Sequence, residues 1–163
     1  MLISDAMNAK LNEQITHEFH SSHIYLAMAC QFERQALKML AGWFKLQARE
    51  ELSHAYKFID YVTAQQGVVH LKASPEPPAE YPSVVDAIKA AVEHEKKITK
   101  CIHDLMALAE KEHDFATREF LGWFVKEQVE EVDSVAHLYE VANMAGKNLL
   151  QLEAYVAHLG RKD

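Results

Sequence analysis

The 163-residue sequence predicts an all-α protein: a four-helix bundle with one long crossover between its second and third helices, and a short fifth helix at the C-terminus. Three observations support this prediction. Apolar residues recur at helical spacing along four long segments. Only five glycines are present, and all four prolines fall within residues 75–82. Long helices interrupted by one irregular region have this distribution of Gly and Pro.

The first two helices are expected over residues 5–33 and 38–66. Ser4 can cap the first helix through its hydroxyl group, and Gly67 is expected to end the second helix as a left-handed C′ residue. Only a few residues join the two helices, so we expect them to lie antiparallel to each other.

Residues 67–82 form the predicted crossover loop. A connection of this length can pass along the whole bundle, which gives the one-crossover topology rather than a simple up-and-down arrangement. Its prolines favour an extended backbone, so the loop is expected to run along the outside of the bundle.

The third and fourth helices are expected over residues 83–111 and 115–144, and the short fifth helix over residues 148–159. Ser83 and Asp86 resemble a capping box in which Asp replaces the usual Glu. All 163 residues are therefore expected to form a single domain.

Composition argues against several classes of function. The formal net charge is −7 and no cluster of Lys and Arg interrupts it, so direct binding of nucleic acid is not expected. No apolar run approaches the length of a membrane span, and the N-terminus lacks the pattern of a signal peptide. We therefore expect a cytoplasmic protein with no membrane partner, in which Cys30 and Cys101 are free thiols in the core.

Each long helix contains a carboxylate inside its own apolar stripe, near the middle of the helix. These four residues are Glu18, Glu51, Glu95 and Glu131. In the first helix, the stripe that surrounds the carboxylate consists of Leu11, Ile15, Ser22, Leu26 and Ala29. Because the midpoints of four helices of similar length lie at one depth in a bundle, the four carboxylates are expected to converge.

The spacing of the polar residues repeats between the two halves of the chain. Glu51 lies 33 residues after Glu18, and Gln128 lies 33 residues after Glu95, as a pseudo-two-fold site requires. The tripeptide Gly-Trp-Phe recurs after 80 residues and favours a different pairing, but only the first register places all four stripes consistently. His54, three positions after Glu51, adds an imidazole to the same face.

Four buried carboxylates need neutralisation, because an unpaired buried charge is strongly unfavourable. The four apolar stripes contain no Lys or Arg. Protonation, which raises the carboxyl pKa, is one solution, and binding of divalent metal is another. Two divalent ions balance the charge of four carboxylates, and oxygen ligands with one imidazole suit Fe, Mn or Zn.

In its motifs, the sequence resembles the non-haem ferritins of bacteria and archaea, a family of ferritin-like di-iron four-helix bundles. The segments that carry the resemblance are LNEQITHEFHSSHIY, REELSH, AEYPS, EHEKKIT and WFVKEQVEEV, and it extends over nearly all of the chain. It implies that each subunit binds two iron ions. The residues that it implies as ligands or catalytic groups there are Glu18, Glu51, His54, Glu95, Gln128 and Glu131. Glu51 would bridge the two irons.

The resemblance also implies a third, weaker iron site. Its ligands would be Glu50, Glu127 and Glu130. Tyr25 and Trp123 match aromatic residues that the family is thought to use in electron transfer, so Tyr25 is included among the catalytic candidates.

Several positions distinguish the chain from related families. Gln128 and Glu131 stand where the haem-containing bacterioferritins have a second Glu-x-x-His, and Leu52 stands where they have the haem-ligating Met, so no haem is expected. Val132 replaces a third consecutive Glu found in many relatives, which affects the outer iron site. The chain has no cysteine pairs of the rubredoxin type, which argues against a rubrerythrin.

The resemblance implies iron storage and detoxification by a cytoplasmic ferroxidase. Fe(II) would be oxidised to Fe(III) by O₂ or H₂O₂ inside each bundle, and ferric mineral would collect inside a homo-oligomeric shell of 24 subunits. The alternatives are a di-iron or di-manganese redox enzyme that stores nothing, and a catalytically inactive shell. A mini-ferritin that shields DNA fits less well, because its metal ligands would be shared across a dimer interface.

Three histidines of the first helix remain outside this scheme. His17, His20 and His23 are spaced by three and form a row on one side of the helix. We expect them to lie at the surface or in a contact between subunits, with an accessory metal site as the alternative. His94, next to Glu95, is expected to point away from the apolar stripe.

Overall fold

The structure, a computed structural model that describes residues 1–160, confirms the predicted bundle. Its helices are α1 (Asp5–Arg34), α2 (Lys38–Ala64), α3 (Val84–Lys111), α4 (Phe115–Ala145) and α5 (Leu149–Leu159). No strand occurs among these residues. Helix α1 packs against α2, α3 packs against α4, and α1 also contacts α3. The segment between α2 and α3 is therefore the long crossover, and the short α5 packs against α2 and α4.

Serine side chains begin two of the long helices, as predicted. The Ser4 hydroxyl accepts a hydrogen bond from the Met7 amide at 2.9 Å, and the Ser83 hydroxyl accepts one from the Asp86 amide at 3.0 Å. Ser83 also donates to the Asp86 carboxylate at 2.6 Å. These bonds satisfy amides that have no partner within their helix.

Helix α2 is capped by a residue that is distant in sequence. The residue before it, Leu37, makes no side-chain cap. The Glu153 carboxylate on α5 accepts the amides of Met39 at 2.9 Å and Leu40 at 2.8 Å. A carboxylate at this position also interacts favourably with the positive end of the helix dipole. The short α5 is thereby attached to the first turn of α2.

The predicted role of Gly67 as the left-handed residue that ends α2 is wrong. Gln66 has the positive φ, 58°, and the Gly67 amide donates to the Val62 carbonyl at 2.9 Å. Gly67 is instead required by close packing. A Cβ atom there would lie 2.5 Å from Asn8 Oδ1 and 2.9 Å from Val62 Cγ1. Asn8 cannot easily move away, because its Oδ1 accepts the Val68 amide at 3.1 Å.

We expect Gly67→Ala to destabilise the protein by about 1–3 kcal/mol, as overpacking of a close contact does. Gly42→Ala is the matched control, because apart from the adjacent residues and the backbone of its own helix no atom lies within 4 Å of the added Cβ. Since Gly42 lies inside α2, the control substitution is expected to stabilise by roughly 0.5–1 kcal/mol. Thermal unfolding of the metal-free protein measures both changes, and an unchanged midpoint for Gly67→Ala would contradict the packing argument.

The apolar core is divided into two clusters by a polar layer. One cluster contains Tyr25, Phe44 and their neighbours, and the other contains Leu11, Phe58 and theirs. In each of the four long helices, residues of one cluster precede the buried carboxylate and residues of the other follow it. The four carboxylates therefore share one depth in the bundle, as predicted.

Some side chains of α1 and α3 lie elsewhere than expected. Leu26 is 47% exposed, because the buried face of α1 continues through Tyr25, Met28 and Phe32, whose spacing is helical. Cys30 is exposed and Cys101 is partly buried, although both are free.

Among the residues described, no helix has both the length and the apolar character that crossing a membrane requires.

Candidate metal centre

The polar layer between the two apolar clusters contains the predicted ligands. Glu18, Glu51 and Glu95 are each 1% exposed, His54 is 3% exposed and Glu131 is 7% exposed. Each residue faces the interior because it occupies the buried stripe of its own helix. The structure thus brings these five residues together from four helices.

Their ligand atoms form two overlapping groups. In one group, oxygen or nitrogen atoms of Glu18, Glu51 and His54 all lie within 4.8 Å of one another. In the other, oxygen atoms of Glu51, Glu95 and Glu131 do so. Glu51 belongs to both groups, which is the position of a carboxylate that can bridge two metal ions.

Neighbouring side chains orient the first group. His54 Nδ1 lies 3.5 Å from Glu51 Oε2 and 3.9 Å from Glu18 Oε2. The imidazole ring packs edge-on against Trp123, with ring centroids 5.5 Å apart. The buried Gln14 amide donates to Glu18 Oε1 at 2.7 Å. Gln14 was not identified from the sequence, although its position four residues before Glu18 on the same face was an available signal.

The second group is oriented by a phenol and an amide. The buried Tyr25 hydroxyl donates to Glu95 Oε1, and Gln128 Nε2 donates to Glu95 Oε2 at 3.1 Å. The same nitrogen lies 3.2 Å from Thr99 Oγ1. In this structure both Tyr25 and Gln128 therefore hold the carboxylate of Glu95, and Gln128 meets it through its amide nitrogen.

Burial raises the pKa of every carboxyl group in the layer. The pKa values of Glu18 and Glu51 lie well above the ordinary 4.5, first because of burial and then because of a neighbouring carboxylate. The pKa of Glu95 is also raised by burial. Burial, with the charge of Glu95, raises the pKa of Glu131 to about 8. Without metal, the layer therefore retains protons at neutral pH.

The arrangement fits divalent cations. Glu18 Oε2 is buried and accepts no hydrogen bond from the described residues. None of the ion pairs formed by these residues brings Lys or Arg to the buried carboxylates. The donor set consists of hard oxygens and one imidazole, which suits iron, manganese or zinc. A pair of such ions supplies the positive charge that the layer otherwise lacks.

An acidic pocket adjoins this layer. It is a cavity of about 240 Å³ between α2 and α4. Its carboxylates are Glu50, Glu127, Glu130 and Glu131. Glu131 belongs to both the pocket and the centre, and ligand atoms of His54, Glu127 and Glu131 lie within 4.8 Å of one another. Glu50 and Glu130 are the other two predicted ligands of the outer site. Both line the pocket, and Glu130 is exposed at its edge.

The row of histidines on α1 contacts the crossover and α3. His23 Nδ1 lies 3.1 Å from Ser74 Oγ in the crossover. The ring of His20 meets that of His94 edge-on, with centroids 6.2 Å apart, and His94 Nε2 lies 2.7 Å from Ser21 Oγ. Among the described residues, these histidines join none of the groups of three possible metal ligands. The contacts with the crossover and α3 fit a surface role for the row, and an accessory metal site there stays a prediction.

Curated relatives with similar sequences are ferritins. A family model for the ferritin-like domain matches residues 8–145. A bacterial non-heme ferritin of Bacteroides fragilis (strain 638R) is 34% identical over 145 residues, which cover 89% of this chain and 91% of that protein. Another, of Staphylococcus haemolyticus (strain JCSC1435), is 32% identical over 162 residues, which cover 99% and 97%.

Solved structures with a similar fold are archaeal ferritins. One is described as a novel open pore ferritin from the hyperthermophilic archaeon Archaeoglobus fulgidus; it is 41% identical, with a TM-score of 0.92 over 94% of this chain and 96% of that one. A second, described as a humanized archaeal ferritin, is 37% identical, with a TM-score of 0.95 over 99% and 98%. Since the family model and these relatives span most of the sequence, the chain belongs to the ferritin family.

Proposed function

We propose that this protein stores and detoxifies iron. It oxidises Fe(II) to Fe(III) at the buried centre and deposits ferric mineral inside a shell of 24 copies. The main support is the pair of ligand groups that share Glu51 at one depth in the bundle. Family membership and the names of the relatives, which are non-heme ferritins, support the same function. The location of such a protein is proposed to be the cytoplasm, and no haem is expected in it.

The ligands determine the chemistry of the centre. Glu18 and His54 hold one Fe(II), Glu95 and Glu131 hold the other, and Glu51 bridges them. Carboxylates stabilise Fe(III) relative to Fe(II) because hard anions prefer the higher charge. Each Fe(II) gives up one electron. With two protons, the two electrons reduce O₂ to H₂O₂, or reduce H₂O₂ to two molecules of water.

Tyr25 is proposed to act beside the second iron. Its hydroxyl is buried and donates to Glu95, so oxidation of the phenol would transfer its proton to that carboxylate. Burial, together with the charge of Glu95, keeps the pKa of Tyr25 well above its ordinary value. Tyr25 is therefore a neutral phenol at physiological pH, and its hydrogen bond positions the Glu95 carboxylate beside the second iron.

Assembly into a shell agrees with the surface of the single chain. Large apolar side chains are exposed on several helices, among them Leu52, Tyr56 and Val129. Exposed apolar surface of this kind is typical of faces that bind other subunits. The structural relatives are ferritins, and we propose that this chain forms a homo-oligomer of the same size as the family's large shells.

The acidic pocket is proposed to receive ferric product from the centre. Replacing Glu50, Glu127 and Glu130 together by alanine is expected to slow repeated oxidation much more than oxidation of the first iron. The reason is that all three residues are proposed to bind iron after it has left the centre. Of the three, only Glu127 belongs to a ligand group that also contains residues of the centre. Stopped-flow absorbance over successive Fe(II) additions measures both rates, and an equal effect on both would contradict this role.

The decisive test combines iron content with particle mass. Purified protein is loaded aerobically with Fe(II) and separated from free iron. Its iron content is then measured, and its particle mass is determined by light scattering. Iron far above the roughly two ions per chain of a dinuclear site, in a large particle, supports storage. Iron that stops at that level in a small oligomer contradicts storage and indicates a redox enzyme with the same fold.

A further inference from the structure

The centre and the acidic pocket meet at Glu131. Glu131 belongs to the group formed with Glu51 and Glu95, and also to the group formed with His54 and Glu127. It also lines the acidic pocket. A cation that leaves the centre through this pocket must therefore pass Glu131, and the side chains around it determine how easily the cation moves.

Gln47 lies at this junction. It is one helical turn before Glu51 on α2, is 9% exposed, and lines the acidic pocket. Its Nε2 donates to Glu50 Oε2 at 3.0 Å and lies 3.5 Å from Glu131 Oε2. The amide group therefore spans one carboxylate of the pocket and one of the centre.

The oxygen of the same amide has no partner. Only three buried side-chain nitrogen or oxygen atoms of the described residues make no hydrogen bond: Glu18 Oε2, His20 Nδ1 and Gln47 Oε1. An unpartnered buried oxygen is unfavourable, and because Gln47 lines the acidic pocket, a cation or a water molecule in that pocket is the partner within its reach. An amide oxygen is a hard ligand that iron accepts.

We propose that Gln47 is a positioning residue and an oxygen ligand for iron in transit from the centre to the acidic pocket. This proposal depends on the function proposed above. Gln47 Oε1 binds the cation while Nε2 keeps the carboxylates of Glu50 and Glu131 apart and in place. Iron then passes from Glu131 to Glu127 without losing all of its protein ligands at once.

Gln47→Leu removes both the oxygen and the amide donor at similar volume, and Gln47→Glu restores an oxygen ligand. The control is Gln151→Leu, an exposed glutamine on α5. Metal-free protein is first saturated with Zn²⁺ and then titrated with Tb³⁺, a redox-inert trivalent probe whose luminescence is excited through Trp43 at the pocket wall. Gln47→Leu is expected to weaken Tb³⁺ binding roughly tenfold, the effect of one lost polar interaction, whereas Gln47→Glu retains it.

A kinetic measurement tests the transit role separately. Fe(II) is added twice, and the ratio of the second oxidation rate to the first is compared between variants. The ratio is expected to fall in Gln47→Leu, to recover in Gln47→Glu and to stay unchanged in Gln151→Leu. If Gln47→Leu does not assemble, Gln47→Met provides the same comparison.

Two results would overturn the proposal. Equal Tb³⁺ affinity in all the variants would mean that the Gln47 oxygen is merely hydrated. A loss of the first oxidation in Gln47→Leu in proportion to the second would mean that the residue only maintains the structure of the centre. If the unaltered protein oxidises no Fe(II), the proposed function fails, and the Tb³⁺ titration still decides whether Gln47 is a ligand.

Discussion

Glu51→Gln is expected to reduce the initial rate of Fe(II) oxidation by more than roughly a hundredfold, because changes even to groups that only orient metal ligands cost up to that much. Glu51 is the residue shared by the two ligand groups of the centre. Its replacement weakens both iron sites and removes the bridge between them. The amide has nearly the same shape as the carboxylate, so the helices can pack as before.

The same substitution is expected to stabilise the metal-free protein. The pKa of Glu51 is raised well above its ordinary value, first by burial and then by the charge of Glu95. Glutamine is neutral at every pH, so it avoids the cost of protonating or burying a carboxylate. A higher unfolding temperature at pH 8 in the presence of a chelator, together with lost oxidation, excludes misfolding as the cause of inactivity.

Asp60→Asn provides the matched control for this experiment. Asp60 is an exposed carboxylate on the same helix and is not part of the ligand groups. Its replacement is expected to leave both the oxidation rate and the unfolding temperature unchanged. Retention of oxidation in Glu51→Gln would contradict the bridging role. It would indicate that oxidation takes place at the group formed by His54, Glu127 and Glu131.

The fold was predictable because its signals are local. Ser4 and Ser83 mark helix starts through their own hydroxyls, and the apolar stripes set the buried faces. Glu18 and Glu51 could be found because a charge inside an apolar stripe is energetically conspicuous. The sequence therefore indicated the four helices and the carboxylates that now lie together in the polar layer.

The details that sequence analysis missed depend on contacts between distant residues. Gly67 looked like an ordinary helix terminator, but its close approach to Asn8 exists only after the crossover has packed on α1. Gln14 and Gln47 are neutral, so burying them costs less than burying a carboxylate. Their presence in the sequence is therefore a weaker sign of a functional site. The spacing of Gln14 and Glu18 by four residues was a local signal for one of these contacts, but the contact of Gln47 with Glu131 joins residues far apart in the chain and is visible only in the fold.

The metal-free protein is expected to lose stability as the pH rises from about 5 to 8. The pKa of Glu131 is about 8 in the folded chain and 4.5 ordinarily. Between these values the folded state holds a proton that the unfolded state has lost, so the free energy of unfolding falls with rising pH. The slope for one such carboxyl is about 1.4 kcal/mol per pH unit. The raised pKa values of Glu18 and Glu51 act in the same direction.

Metal binding should reverse the fall of the free energy of unfolding with rising pH. The reason is that a cation displaces the proton that the folded chain otherwise retains. In weakly buffered solution at pH 7, Zn²⁺ is expected to release protons from the metal-free protein. Glu131→Gln is expected to release about one fewer per chain, since a single carboxyl is removed. Glu93→Gln, an exposed carboxyl on α3, should change nothing. If Zn²⁺ binds without proton release, the buried carboxylates are already ionised in the metal-free bundle. In that case, neutralisation by a cation would not be needed to keep four carboxylates buried at one depth.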